Sequence, residues 1–355
     1  MTDPHLLGIA TAVPEHGFLQ EEVRERIPVV FPECRDEVER LLPVFLNAGI
    51  EARYSCVPLD WYERDHGWVD RNGLYVEHSV ALLEQAARRC LASAGIEPAE
   101  IDGLVVASTT GVATPSLDAL LMERIGFRRD ILRLPIFGLG CCGGVLGLAR
   151  TARLARAAPN EKLLFLVVEP CALTFRRNDR SKSNIVATAL FGDGAAAALV
   201  GCEGEGPAIV ASGEHTWPDT LDVMGWGVES DGLRVIFSRD IPSLIRERFR
   251  PVLDDFLDRR GLGLADIAQW ICHPGGAKVL DALEDVLECQ RGTLAHSRAV
   301  LRDYGNMSAV TVMFVLARAL ENGGIGQRAV MSALGPGFTA GFLMLENGAA
   351  DGERA

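Results

Sequence analysis

The chain has 355 residues, 48% hydrophobic side chains and a formal net charge of −13 at pH 7. This length allows a sizeable core in one large or two ordinary domains, and the acidic balance argues against a general nucleic-acid binder. The nine cysteines form no CxxC pair and no His/Cys cluster, which favours reduced thiols over a disulfide framework or a zinc site. No signal-peptide pattern and no apolar run of about 18 residues is present, so we expect a cytoplasmic protein without stable membrane insertion.

Hydrophobic periodicity and turn residues predict alternating helices and strands along the chain. Residues 20–48 are predicted to be helical with interruptions at Pro28, Pro32 and Pro43, and residues 75–94 form a better helix. The later predicted elements are, in order, strand 101–107, helix 116–125, strand 132–137, helix 143–158, strand 162–169, strand 194–200, strand 267–272, helix 307–320 and strand 328–334. Such alternation is typical of an α/β fold with buried sheets.

A weak internal repeat divides the chain into two similar halves. Residues 94–106 align without gaps with residues 260–272, and each half continues with a helix, a strand, a Gly-rich turn and another strand. Packing of the halves about a pseudo-twofold axis would bring Cys141 near Asn306, because both precede equivalent helices. We expect residues 1–215, with an insertion at about 170–191, to form one half and residues 216–355 the other. Chance similarity between two α/β units is the alternative.

Cys141 lies in a Gly-rich junction between a predicted strand and a predicted helix, where residues 138–144 read Gly-Leu-Gly-Cys-Cys-Gly-Gly. Free N–H groups and the partial positive charge at a helix start favour a thiolate, which is the nucleophilic form of cysteine. The glycines would let another molecule approach the main chain closely. A buried, inert cysteine is the plain alternative, and a strained disulfide between Cys141 and Cys142 is another.

His273 and Asn306 occupy comparable settings later in the chain. His273 follows a predicted strand and precedes Pro-Gly-Gly, a setting that none of the other six histidines has. A neighbouring imidazolium would hold Cys141 as a thiolate, although a lone histidine is more often a surface or core residue. The Asn306 amide cannot be deprotonated, and beside a nucleophile it can donate a hydrogen bond to an oxyanion or enolate. Its ordinary role is that of a helix N-cap.

Five motifs in register carry a family resemblance. They are Gly-Cys141-x-Gly-Gly, Leu-Phe-Gly-Asp-Gly-Ala-Ala-Ala at 190–197, His273-Pro-Gly-Gly, Gly-Asn306-Met-Ser and Gly-Pro-Gly at 335–337. From about residue 6 to residue 345 the chain resembles type III polyketide synthases, the chalcone-synthase-like members of the thiolase superfamily. The resemblance implies an α/β thiolase-like fold of five layers, αβαβα, in a homodimer. It also implies an acyltransferase that uses acyl-CoA and malonyl-CoA, with no bound cofactor and no metal.

The resemblance further implies roles for individual residues. Cys141 would carry the acyl chain, and His273 and Asn306 would bind the thioester carbonyl and promote decarboxylation of malonyl-CoA. Phe191 matches a gatekeeper between the CoA tunnel and the reaction cavity, and Thr114 matches a side chain that reaches across the dimer into the partner's cavity. The other implied substrate-binding positions are Thr109, Cys171, Thr174, Ala187, Trp226, Gly275, Gly276 and Ser308.

Two features bear on the substrates. Arg40 and Arg53 are the implied CoA contacts, whereas Pro43 and Asn47 replace two basic residues of the family. Residues 224–242 most resemble bacterial synthases that extend fatty acyl-CoA to alkylpyrones and alkylresorcinols. Short side chains at the substrate-binding positions Thr109, Thr174 and Ala187 would leave room for an acyl tunnel, so a fatty acyl-CoA starter is expected.

Three other functions account for part of the pattern. A fatty-acid-priming 3-ketoacyl-ACP synthase shares the fold and a Cys/His/Asn triad, but its histidine is usually followed by Gln-Ala-Asn. An NAD-dependent oxidoreductase would explain the GxGxxG spacing of residues 138–143 and Glu169 at the end of the next strand. It leaves the histidine and asparagine motifs unexplained. A non-catalytic thiolase-like partner protein would not need the three reactive residues.

Overall fold

A computed structural model describes residues 2–31, 40 and 42–348 of the chain. The strands are β1 (His5–Ala12), β2 (His16–Leu19), β3 (Ala52–Ser55), β4 (Gly103–Ala107), β5 (Leu132–Ile136), β6 (Leu163–Pro170), β7 (Asp193–Gly201), β8 (Ala208–Thr216), β9 (Met224–Glu229), β10 (Gly232–Phe237), β11 (Gln269–Cys272), β12 (Arg328–Gly335) and β13 (Thr339–Glu346). The helices are α1 (Gln20–Val30), α2 (Pro43–Asn47), α3 (Trp68–Ala94), α4 (Leu117–Ile125), α5 (Gly143–Ala157), α6 (Lys182–Leu190), α7 (Ile241–Asp258), α8 (Ala277–Val286), α9 (Ala295–Tyr304) and α10 (Thr311–Glu321).

Nine strands form a continuous sheet in the order β11-β12-β13-β8-β1-β7-β6-β4-β5. Outward from the junction between β8 and β1, the two sides follow the same plan. On one side β1 runs antiparallel to β7, β7 antiparallel to β6 and β6 parallel to β4. On the other side β8 runs antiparallel to β13, β13 antiparallel to β12 and β12 parallel to β11. The internal repeat predicted from the sequence is therefore present in the strand order.

Seven of the helices listed above pack in three layers around the two halves of the sheet. α3 and α4 cover the outer face of the first half, and α7, α8 and α9 cover the outer face of the second. α5 and α10 lie between the halves in a buried cluster that includes Val145, Phe165, Met313 and Met331. The molecule thus has the five-layered αβαβα architecture of the thiolase-like fold, as predicted.

Close main-chain approach positions the turn that carries Cys141. A Cβ atom at Gly144 would lie 2.2 Å from the carbonyl oxygen of Ala309, so the starts of the two central helices can meet only if this residue is glycine. Gly140 has φ of +47°, and a Cβ atom there would lie 2.5 Å from Cδ of Pro336. The Gly-Cys and Gly-Pro-Gly motifs therefore pack as one unit at the centre of the molecule.

Several element boundaries differ from the prediction. The helix predicted at 75–94 begins earlier, at Trp68, and the run from Asp70 to Gly73 interrupts the apolar spacing on which the prediction depended. Pro28 lies inside α1 without ending it, and Pro43 opens α2, where a missing N–H is tolerated. Residues 32–39 and 41 of the predicted helix 20–48 lie outside the described residues. The insertion predicted at about 170–191 contains α6.

The predicted division between residues 215 and 216 falls at the end of β8, a strand that pairs along β13, and it stays a prediction. Over the described ranges, none of the helices combines the length and the apolar character needed to cross a lipid bilayer.

Candidate active site

Elements from both halves bring Cys141, His273 and Asn306 to one cavity. Cys141 lies in the turn that leads into α5, His273 directly follows β11, and Asn306 lies two residues after α9. The cavity is completed by Gly275 and by apolar side chains, mostly from α7, α8 and the end of β12. The three residues are 8%, 5% and 1% exposed, respectively. The predicted triad is therefore assembled at a site shielded from bulk water.

The two adjacent cysteines have different surroundings, and both are free thiols. Sγ of Cys141 lies 3.6 Å from Oγ of Ser308, at the cavity. Sγ of Cys142 lies 3.2 Å from the carbonyl oxygen of Ala333 and 3.0 Å from that of Thr339, inside the protein. The disulfide alternative is therefore wrong, and Cys141 is the cysteine that shares a cavity with His273 and Asn306.

The imidazole of His273 and the amide of Asn306 have unused hydrogen-bonding capacity. Both ring nitrogens of His273 are buried without a partner among the residues described. Oδ1 of Asn306 accepts a hydrogen bond from the N–H of Ser308 at 2.8 Å, and Nδ2 donates to the carbonyl oxygen of Gly275 at 3.2 Å. These bonds fix the amide orientation and leave one Nδ2 hydrogen for a ligand. Because buried polar atoms without partners are costly, the pair is suited to bind a substrate oxygen.

Burial governs protonation in this cavity. It raises the pKa of the Cys141 thiol to about 12; the hydrogen bond with Ser308 opposes this shift and the carboxyl of Glu169 adds to it. Burial also lowers the pKa of His273 to about 4. Loss of hydration disfavours the charged form of each group. The thiolate–imidazolium pair predicted from the sequence is thus disfavoured in the free site, because desolvation acts against both charges.

Glu169 is a candidate functional residue that the sequence indicated only as a ribose-binding acid. It is fully buried near the end of β6. Its Oε2 accepts hydrogen bonds from the N–H of Thr109 at 3.0 Å and from Oγ1 of Thr110 at 2.8 Å. Oγ1 of Thr109 in turn accepts the N–H of Gly140 at 3.1 Å. The carboxyl of Glu169 is therefore connected through Thr109 to the turn that carries Cys141. In the sequence, the signal for such a role is one acidic residue near the end of an otherwise apolar strand.

Replacing Glu169 by glutamine is expected to change how stability depends on pH. Burial raises the pKa of Glu169 from 4.5 to about 7, although the hydrogen bonds from Thr109 and Thr110 oppose the shift. Between these values the folded state binds more protons than the unfolded state, so the group lowers stability as pH rises and has no further effect above about pH 7. Urea unfolding from pH 5 to 8 should show the wild type losing about 2–3 kcal/mol relative to Glu169→Gln. A constant difference would contradict the shifted pKa.

A second, mostly apolar cavity adjoins Phe191. It is lined by the predicted substrate-binding residues Cys171, Thr174 and Ala187, and it continues to α1. The centroid of the Phe191 ring lies 6.0 Å from that of Trp226 and 5.9 Å from that of Phe237, and Phe237 lines the cavity that holds Cys141. The aromatic contact of Phe191 with Phe237 therefore lies between the two cavities.

The other predicted site residues differ in how close they lie to the two cavities. Ser308 lies beside Cys141 with φ of +49°, a strained value for a residue with a side chain. Gly276 is the buried residue directly before α8. Thr114 and Arg40 are exposed and line neither cavity. Among the residues that the structure describes, there is no group of three or more His, Cys, Asp and Glu side chains that could hold a metal ion.

Arg53 is placed differently from its prediction as a CoA contact. It is 5% exposed, and Nη1 donates hydrogen bonds to the carbonyl oxygens of Thr188 at 2.5 Å and Phe191 at 2.9 Å. Arg53 also lines the cavity beside Phe191, and its Nη2 is buried without a hydrogen-bond partner among the described residues. The structure thus speaks against a phosphate contact at Arg53.

A cysteine, a histidine and an asparagine at the centre of two equivalent α/β halves define a condensing enzyme of the thiolase class. Residues 63–204 match the N-terminal domain of chalcone and stilbene synthases, and residues 208–347 match the C-terminal domain. The chain therefore belongs to the chalcone and stilbene synthase family, and it is a type III polyketide synthase. This membership makes it an enzyme with acyltransferase-type condensation activity, and it removes the oxidoreductase and non-catalytic alternatives.

The relatives and solved structures agree with this membership. A 1,3,6,8-tetrahydroxynaphthalene synthase of Streptomyces peucetius is 39% identical over 95% of this chain and 92% of that protein. An alpha-pyrone synthesis polyketide synthase-like protein of Mycobacterium tuberculosis is 29% identical over 96% of this chain and 90% of its own. The crystal structure of the 1,3,6,8-tetrahydroxynaphthalene synthase of Streptomyces coelicolor superposes with a TM-score of 0.92 at 28% identity, covering 98% of this chain and all of that one.

Proposed function

We propose that this synthase condenses a fatty acyl-CoA starter with malonyl-CoA on Cys141 and closes the product to an alkylpyrone or an alkylresorcinol. Sγ of Cys141 attacks the starter thioester, the C–S bond to the enzyme forms, and CoA leaves as its thiol with the cysteine proton. Malonyl-CoA then loses CO₂, and the electrons of the broken C–C bond form an enolate. The enolate carbon attacks the acyl group on Cys141, which forms the new C–C bond and releases the thiolate.

The proposed roles of His273 and Asn306 follow from their hydrogen-bonding capacity. The enolate oxygen needs donors that are already in place when the charge develops. Nδ2 of Asn306 has a free hydrogen beside the cavity, and the ring nitrogens of His273 have no partner there among the described residues. Burial keeps the His273 imidazole neutral, and the Asn306 amide carries no charge. Each can therefore donate a hydrogen bond to the malonyl thioester oxygen.

The apolar cavity beside Phe191 is the observation that carries the choice of starter. It begins at the small side chains of Thr174 and Ala187 and reaches Val23, Ile27 and Val30 on the buried face of α1. A fatty acyl chain would gain roughly 0.8 kcal/mol for each CH₂ group buried there. The relative from Mycobacterium tuberculosis, whose name refers to alpha-pyrone synthesis, supports a pyrone product.

A second candidate product is 1,3,6,8-tetrahydroxynaphthalene. The observation in its favour is the 39% identity to a synthase of that name. The cavity beside Phe191 favours the fatty acyl starter instead, because its lining is mainly apolar. Incubation with malonyl-CoA alone separates the two candidates by the product mass.

We expect kcat/KM to rise with starter chain length from acetyl-CoA to stearoyl-CoA, with two or three malonyl extensions. The rise should approach about fourfold per CH₂ while the added groups still enter the cavity, which is the factor that 0.8 kcal/mol supplies. Mass spectrometry of the products with malonyl-CoA gives the rates, the number of extensions and the ring type. Preference for acetyl-, malonyl- or coumaroyl-CoA would overturn the fatty acyl proposal, and products of a single condensation would overturn the proposed number of extensions.

Two neighbouring valines on α1 provide a matched test of where the acyl chain lies. Val30 is 3% exposed and lines the cavity, whereas Val29 is 52% exposed. In the same starter series, Val30→Phe should move the optimum to shorter chains, while Val29→Phe should leave the series unchanged. Equal profiles for the two variants would remove this cavity from the proposal.

The edge of the sheet supports a homodimer. β5 is the edge strand of the first half of the sheet, with unpaired main-chain groups along one side, and Leu132 at its start is 44% exposed. Phe137, directly after the strand, is 65% exposed and Val112 is 50% exposed. An exposed apolar strand edge promotes aggregation unless a second chain covers it. In a twofold dimer the β5 strands of the two chains would cover each other. We therefore propose that β5 forms the dimer interface, with the exposed Thr114 reaching toward the partner's cavity.

Light scattering at micromolar concentration should give about 77 kDa, twice the chain mass of 38.3 kDa. A charged residue at the edge, Phe137→Glu, should shift the mass toward the monomer. A wild-type mass of one chain would contradict the dimer.

The eight cysteines among the described residues are all free, which suits the reducing cytoplasm that we propose as the location.

A further inference from the structure

Arg53 is a buried side chain that contacts the main chain at Phe191, the proposed gatekeeper. It lies in β3, which pairs with β2, and its side chain enters the interior. Its Nη1 donates to the carbonyl oxygens of Thr188 and Phe191, at the end of α6 and directly after it. Since burying a cation is costly without compensating partners, these bonds and the charge of the nearby Asp193 are needed to hold Arg53 there. Asp193 is itself fixed by the N–H groups of Cys56 and Ala172, both at 2.7 Å.

The segment held by Arg53 is joined directly to the catalytic asparagine. The N–H of Asn306 donates to the carbonyl oxygen of Leu190 at 2.8 Å, and the N–H of Gly192 donates to the carbonyl oxygen of Asn306 at 3.0 Å. The main chain on both sides of Phe191 is therefore bonded to Asn306.

The aliphatic part of the Arg53 side chain also packs against the main chain at Gly192 and at Gly305. A Cβ atom at Gly192 would lie 3.4 Å from Cβ of Arg53, and one at Gly305 would lie 3.5 Å from it. Gly192 adjoins Phe191 and Gly305 adjoins Asn306. One buried side chain thus contacts the residues next to the gatekeeper and next to the catalytic amide.

We propose that Arg53 is a positioning residue that holds Phe191 and, through the main-chain bonds of residues 190–192, the amide of Asn306 in its working place. This inference rests on the decarboxylation role proposed for Asn306, and because Arg53 also lines the cavity proposed for the starter, it is tested with malonyl-CoA alone. A displacement of a catalytic group by about 1 Å can lower a rate by a factor on the order of 10². Loss of the guanidinium should therefore slow the chemical step without weakening substrate binding.

The test compares Arg53→Met, Arg53→Lys and Arg71→Met. Methionine keeps an apolar stem beside Gly192 and Gly305 but removes the donors, whereas lysine keeps a positively charged donor on a stem one bond shorter. Arg71 is the matched control, because it is also 5% exposed and donates to the carbonyl oxygens of His66 and Phe175. Malonyl-CoA decarboxylation is measured per Cys141 that can be acylated, which corrects for unfolded protein, together with the KM for malonyl-CoA and the melting temperature.

We expect Arg53→Met to lower kcat for decarboxylation at least about tenfold with KM within about twofold, and Arg53→Lys to recover part of the loss. Arg71→Met should lower the melting temperature but keep the rate per acylatable site. A full rate per site in Arg53→Met would reduce Arg53 to a structural role and overturn the proposal. A large rise in KM with unchanged kcat would also overturn it, because that result marks a substrate contact.

Asn306→Ala in the same assay separates this proposal from the proposed function. If Asn306→Ala is impaired and Arg53→Met is not, the positioning role of Arg53 alone is overturned. If Asn306→Ala decarboxylates at the wild-type rate, the proposed role of Asn306 is overturned, and the inference about Arg53 with it.

Discussion

Replacement of Cys141 by alanine is expected to abolish condensation, with a loss on the order of 10⁴ or more in turnover. Cys141 is the cysteine that shares a cavity with His273 and Asn306. Without its sulfur atom the starter has no covalent attachment, and the enolate formed from malonyl-CoA has no acyl-enzyme to attack. Product formation from an acyl-CoA and malonyl-CoA, followed by mass spectrometry, measures the loss.

Cys142→Ala is the matched control for this prediction. Cys142 is 1% exposed, and its Sγ faces the carbonyl oxygens of Ala333 and Thr339 rather than the cavity. The variant should keep activity within a few-fold, and iodoacetamide should label Cys141 before Cys142. Loss of activity in Cys142→Ala together with retention in Cys141→Ala would show that the nucleophile is the second cysteine.

Asn306→Ala is expected to slow malonyl-CoA decarboxylation by a factor on the order of 10²–10³, the usual effect of losing one preorganised donor to a developing oxyanion. Transfer of the starter to Cys141 should continue, because that step does not form the enolate. Quantifying CO₂ release and the acylated enzyme in parallel separates the two steps. A variant that releases CO₂ at the wild-type rate would exclude Asn306 from the proposed role.

The meeting of Cys141 and Asn306 could be predicted from the sequence because it depends on the repeat. Both residues precede a central helix, and β6–β7 after one matches β12–β13 after the other. Equivalent positions in two halves related by a pseudo-twofold axis must meet near that axis. The small residues at 143–144 also signal the close approach, since the structure places Ala309 against Gly144.

Other features depend on tertiary packing that local sequence does not encode. Arg53 sits in a short strand beside Tyr54, and its interior position follows from how α6 and the turn at 305 pack over β3. By contrast, the β9–β10 hairpin is absent from the predicted elements although its sequence alternates: Met224, Trp226 and Val228 in one strand face Leu233, Val235 and Phe237 in the other. The protonation of Cys141 and His273 depends on desolvation, which only the closed cavity reveals.

The central claim is that Cys141 carries the starter and releases it to the malonyl-derived enolate. Peptide mass spectrometry of the wild-type enzyme after incubation with palmitoyl-CoA alone, and again after addition of malonyl-CoA, tests it most directly. The predicted result is a palmitoyl group on Cys141 that disappears as the alkylpyrone or alkylresorcinol forms. A palmitoyl group on Cys142, or product formation while no cysteine is ever acylated, would contradict the account.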